Sequence, residues 1–150
     1  MNYWRFQGLS LTGGCHPDSI LDFERRNCVE LPEDMRAYFL TVDGMSPNNP
    51  EDKKGFSFWP LSEVTRADEE VERRTPFVQH FANDSEFFVF ADYLHWSWAY
   101  AIRMKPNGAP RVIIVGKNTP EIVSESFTEF VGMYIADAAS LYEGVPTENP

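Results

Sequence analysis

Apolar positions along the chain change their spacing twice, and each change predicts a different kind of element. Near the start, Ile20 and Phe23 followed by Glu24 read as a helix capped by Asp18 or Ser19 and running to about Asn27. A second helix is expected from Pro32, whose missing N–H costs nothing in a first helical turn. Glu33 and Asp34 there suit the positive end of the helix dipole. Met35, Tyr38, Phe39 and Val42 share one face of that helix, and Asp43-Gly44 stops it. Met45 to Gly55, with Pro47, Asn48, Asn49 and Pro50, is expected to be a loop.

Beyond that loop the pattern becomes strand-like. Phe56–Trp59 reads as a short strand stopped by Pro60, and Leu61 to about Arg74 as a charged surface helix. Three strands follow, Phe87–Phe90, Trp98–Met104 and Arg111–Val115, with Asn107-Gly108 as a hairpin signal between the last two. Helical spacing then returns. Ser126-Phe127-Thr128-Glu129 forms a capping box ahead of the stripe Phe127, Phe130, Val131, Tyr134, Ile135, Ala138 and Leu141. Helices, a hairpin-linked sheet and a covering helix make an α+β class: a single domain over 1–150, with N-terminal helices, a mainly antiparallel sheet and a C-terminal covering helix. The segment 144–150 is expected to be a flexible tail.

Composition narrows the functions available. The chain has 150 residues, 43% hydrophobic and 15% aromatic, enough for a well-filled core. Thirteen basic against 23 acidic residues give a net charge of −10, which disfavours nucleic acid and anionic membrane surfaces as partners. After Lys117 there are six acidic residues, Glu121, Glu125, Glu129, Asp137, Glu143 and Glu148, and no basic one. A basic partner would be steered there, although acidity also serves solubility alone. No signal-peptide-like or membrane-spanning run is present, and Cys15 and Cys28 do not form a disulfide framework, so a cytoplasmic protein is expected.

A search for chemistry returns little. His16, His80 and His95 lack ligand spacing, and Cys15-His16 with Cys28 has no fourth ligand, so no metal and no cofactor are expected. Asp92 and His95 would meet as an acid–base pair if the segment turned sharply, but no nucleophile accompanies them apart from Ser97. No phosphate-binding glycine loop is present. What stands out is Ala91–Tyr100, with Tyr93, His95, Trp96, Trp98 and Tyr100 inside ten positions. Strand alternation would place Trp96, Trp98 and Tyr100 on one face, either in the core or as the aromatic anchors of an interface. Trp59 is a further candidate of the same kind.

Several runs together resemble the SUKH superfamily. They are Ile20-Leu21-Asp22-Phe23-Glu24-Arg25-Arg26, Val29 to Leu40 ending in Val42-Asp43-Gly44, Phe58-Trp59-Pro60-Leu61, Phe90-Ala91-Asp92-Tyr93, Tyr100-Ala101-Ile102 and Ser126 to Phe130, ordered over residues 20–142. The resemblance implies a non-catalytic α+β binding domain. Bacterial members are similar to antitoxins that neutralise polymorphic toxins, many of them nucleases; fungal members look like regulators of cell-wall synthesis acting through protein partners. On that footing the expectation is an immunity protein, monomer or weak homodimer, covering a basic toxin domain. A regulatory or scaffolding module is the alternative, and a small metal-dependent hydrolase built on Asp92 and His95 a more distant one. The surface expected to bind comprises Trp59, Asp92, Tyr93, His95, Trp96 and Trp98 with the carboxylates Glu121, Glu125 and Glu129. Many family members carry a Gly/Asp-rich turn where this chain has Tyr93-Leu94-His95-Trp96.

Overall fold

The computed structural model describes residues 2–11, 13–45, 51–74, 84–106, 108–117 and 119–146. His80 and Asn107, and with Asn107 the hairpin turn it signals, lie outside those residues. Five helices are described: α1 (Asn2–Phe6), α2 (Pro17–Asn27), α3 (Glu33–Thr41), α4 (Ala67–Arg74) and α5 (Phe127–Ala136). Seven strands are described with them: β1 (Phe56–Phe58), β2 (Thr65–Arg66), β3 (Phe87–Tyr93), β4 (Trp98–Arg103), β5 (Val112–Val115), β6 (Glu121–Ser124) and β7 (Val145–Pro146). The strands form one antiparallel sheet in the order β1-β3-β4-β5-β6-β7, with β2 beside β3 on the same edge as β1. Sequence and structure therefore agree on an α+β domain.

Both faces of the sheet are buried, because the central strands alternate between two apolar clusters. Phe88, Phe90, Tyr100, Ile102, Val112 and Ile114 point to the face covered by α2, α3 and α5. A bulge between Val89 and Ala91 also turns Ala91 to that side. Phe87, Val89, Ala99, Ala101, Ile113 and Val115 point the other way, toward Ala67 and Val71 of α4 with Trp59 and Trp96. The small side chains of Ala99 and Ala101 leave room for the two indoles on this second face.

Local differences from the sequence expectation have local causes. The N-cap of α2 is His16, whose Nδ1 accepts from the Asp18 N–H, with Pro17 as the first helical residue. Gly44 is left-handed as expected (φ +72°), but α3 already ends at Thr41, with Val42 extended. The left-handed turn brings the chain so close to the Trp59–Pro60 backbone that a Cβ at Gly44 would lie 2.5 Å from it. The single helix expected over Leu61–Arg74 is a 3-10 turn, a two-residue strand and the eight-residue α4. Val64 is extended and Thr65–Arg66 pair with Val89 and Phe88. α5 begins as expected, with Ser126 Oγ accepting from the Glu129 N–H at 3.0 Å. Glu129 closes the motif on the Glu125 N–H at 2.8 Å. It ends earlier than the apolar stripe suggests, at Asp137 in a left-handed C-cap, so that Ile135 is half-exposed and Leu141 is buried from a separate 3-10 turn. Val145 and Pro146, at the start of the segment expected to be a tail, pair with Ile122 and Glu121.

Candidate functional site

Most residues singled out from the sequence meet at one end of the sheet, around the β3–β4 connection. Tyr93 ends β3 opposite Trp98, and between them the chain makes one turn of left-handed backbone: Leu94, His95 and Trp96 have φ of 48°, 51° and 66°. Such angles cost side-chain-bearing residues about 1 kcal/mol or more each, so the surroundings must hold them. The Asp92 carboxylate does much of this. Its Oδ1 accepts from the Trp96 N–H at 3.0 Å and its Oδ2 from the Trp59 indole N–H at 2.7 Å. The Leu94 N–H donates to the Gly55 carbonyl at 2.8 Å, and the Ser97 N–H to the Tyr93 carbonyl at 2.9 Å. Gly116 (φ +91°) admits the Trp96 ring from the other side; a Cβ there would lie 2.7 Å from that ring.

This geometry corrects the expected alternation of Trp96, Trp98 and Tyr100. β4 starts only at Trp98, and the left-handed turn sends Trp96 to the second face, into the cluster with Trp59 and Val115. Trp59 and Trp96 are 8% and 9% exposed, and they brace the turn from beneath. Trp98 stays with the first face, half-buried. Its ring lies 4.6 Å from Tyr93, the Lys117 ammonium sits 4.8 Å from its centroid, and its N–H donates to the Tyr100 hydroxyl. What faces solvent at the turn is Leu94, 49% exposed, His95, whose side chain is 85% exposed, and the exposed Ser97.

Asp92 and His95 do not come together as an acid–base pair. Both Asp92 oxygens are engaged by Trp59 and Trp96, and His95 Nε2 lies 3.5 Å from Glu51. Beside Trp59 and Asp92, Glu63, Glu69, Glu70, Arg73 and Arg74 line a polar cleft of about 640 Å³. Glu70, 2% exposed, is held by both arginines. Among the described residues, no three His, Cys, Asp or Glu side chains gather as metal ligands. Cys28 forms the left-handed C-cap of α2; the half-buried Cys15 thiol is pushed up in pKa by burial and by the Asp43 charge.

The three expected carboxylates are divided between the two ends of β6. Glu121 lies at the turn end, 3.0 Å from Lys117 Nζ, and also accepts from the Gly144 N–H. Glu125 and Glu129 lie at the far end by the start of α5, where Arg111 reaches Glu125 at 3.1 Å. Asp137 pairs with Lys54 and accepts from the Tyr142 hydroxyl, contacts that hold its carboxyl below the usual range. The acidity that is unbroken in sequence is thus partly matched in space by Lys54, Arg111 and Lys117.

The sequence model of the SMI1 / KNR4 family (SUKH-1) matches residues 14–133. The chain belongs to this family. The SUKH match covers α2 through most of α5, including the β3–β4 turn, and membership is consistent with an immunity or regulatory role. No curated protein matches the sequence alongside it. Among the described residues of this SUKH domain, no helix is long and apolar enough to cross a membrane.

Proposed function

We infer that this SUKH domain works as an immunity protein, binding and neutralising a basic toxin domain in the cytoplasm without chemistry of its own. The observation that supports this best is the β3–β4 turn. Three successive side-chain-bearing residues occupy backbone that glycine prefers, and the result is that Leu94 and His95 project into solvent on a rigid base. A preorganised, partly apolar projection is what a tight interface uses as an anchor, because little conformational freedom is lost on binding. The net charge of −10 would raise the association rate with a cationic partner and make it fall with salt.

The test is co-expression with toxin domains encoded beside the gene. Protection from one of them and a stable complex are expected, with Leu94→Asp weakening the complex at least tenfold while thermal stability is kept. Absence of protection and of a complex with every such toxin domain would overturn the reading.

A further inference from the structure

Asp92 stands at the base of the β3–β4 turn, half-buried, and the two donors described on its carboxylate are both neutral: the Trp59 indole N–H on one oxygen and the Trp96 backbone N–H on the other. An amide of the same size would be less costly to half-bury than an ionised carboxylate. It could not make the same pair of bonds, because asparagine has one acceptor oxygen and its NH2 would point hydrogens at the second donor. Two acceptor oxygens on a short side chain are what this position requires. The far ends of both bonds are set independently. Trp59 follows β1, and its backbone N–H donates to the Phe90 carbonyl at 2.8 Å, so the indole reaches Asp92 from a position fixed by β3 itself. Trp96 has a buried indole N–H without a hydrogen-bond partner among the described residues. Its ring is held by packing, against Gly116 and within the second-face cluster, and its polar tie to the fold is the backbone bond to Asp92.

That bond closes the run of three left-handed residues at its last member. Leu94 and His95 come before Trp96 in the same run, so freeing the Trp96 N–H lets all three relax toward ordinary backbone angles and redirects the two exposed side chains. An anchor that must be ordered during binding loses affinity, even though every group the partner touches is still present. We propose that Asp92 is a positioning residue for the protein partner. It holds the Trp96 N–H, and through it Leu94 and His95, in the arrangement the partner binds, while the Trp59 indole occupies the second oxygen and keeps the carboxylate from turning away. The proposal rests on the reading of the turn as the partner's anchor. It adds to that reading a residue outside the exposed Leu94, His95 and Ser97 on which affinity depends.

The test has an arm without a partner and an arm with one. In the unsubstituted protein, the Trp96 amide hydrogen is expected to exchange with solvent far more slowly than that of His95. Leu94, His95 and Trp96 are each expected to show the strong amide–Hα cross-peak that a positive φ produces. Asp92→Leu keeps the approximate shape and removes both acceptors; it should weaken the three cross-peaks. It should also weaken the complex with the toxin domain found by co-expression about tenfold or more, mostly through faster dissociation. Trp59→Phe/Asp92→Asn removes the competing indole donor and returns one neutral acceptor to the Trp96 N–H. It should recover the cross-peaks and bring affinity back to within about threefold of the unsubstituted protein. A carboxylate that met the partner's cations directly, or one needed for stability alone, would give no such recovery. Rapid exchange at Trp96, unchanged cross-peaks or affinity in Asp92→Leu, or no recovery in the double variant would each overturn the proposal. A complex that forms equally well with Asp92→Leu leaves the immunity reading standing and removes Asp92 from it, whereas absence of any complex with the unsubstituted protein removes both.

Discussion

At the level of single residues, His95 is the informative position. It holds a left-handed backbone, is largely exposed, and its one described side-chain partner is Glu51 at 3.5 Å. Glycine there would relieve about 1–2 kcal/mol of steric cost and lose about 0.5–1 kcal/mol through the freer unfolded chain. His95→Gly is therefore expected to stabilise the fold by about 0.5–1 kcal/mol in urea denaturation, while weakening any partner held by the turn. A loss of stability would show that the imidazole itself holds the turn. The sequence drew attention to Asp92, His95 and the tryptophans together, but not to the contacts that hold them. Asp92 is occupied by Trp59, which arrives from β1 through a hydrogen bond spanning 33 positions, and no local pattern reveals such a partner. The alternation of Trp96, Trp98 and Tyr100 failed for a similar reason: periodicity assumes a strand, and three left-handed residues shift the phase before the strand begins.

At the level of elements, legibility followed length and contrast. α2, α3 and α5 announce themselves by apolar spacing and acidic or capping first turns, and β3, β4 and β5 by dense β-branched and aromatic runs. α1 has five residues, no acidic first turn and no periodicity to read. β6 has Ile122 and Val123 as its only apolar residues between Glu121 and Ser124, so it exists because β5 pairs with it. α4 is recognisable as charged, yet Thr65 and Arg66 before it are captured by β3, since sheet pairing outweighs weak helix propensity. The tie between the loop before β1 and α5 was also unreadable. Asp52, 5% exposed, accepts from the Phe56 N–H at 3.0 Å, the Lys54 N–H at 2.8 Å and the Tyr134 hydroxyl. Asp52→Ala would strand a buried amide and a buried phenol, and is expected to cost about 2–3 kcal/mol in chemical denaturation. A cost below about 0.5 kcal/mol would mean that water reaches those groups.

For the whole molecule, the class of fold was visible from the order of periodicities, whereas the distribution of charge was not. Counting along the chain isolates an acidic final stretch; folding returns Lys54, Arg111 and Lys117 to it from outside. The core has a collective pH signature as well. Burial raises the pKa of Tyr38, Tyr100, Tyr134 and Tyr142 above the usual phenol value. The Asp43 charge adds to this at Tyr38, and hydrogen bonds to Asp52 and Asp137 add at Tyr134 and Tyr142. The folded state keeps these protons where the unfolded chain has lost them, so this contribution is complete below about pH 10 and declines above it. The melting temperature is expected to fall steeply there, with tyrosinate absorbance rising together with the loss of secondary structure; ionisation of all four phenols before unfolding would contradict it. A practical consequence follows from α1. Because the Trp4 indole is fastened to the Tyr134 hydroxyl, any fusion placed ahead of Asn2 begins close to a bond that ties α1 to α5. A purification handle there has to leave that tie undisturbed if the covering helix is to stay in place.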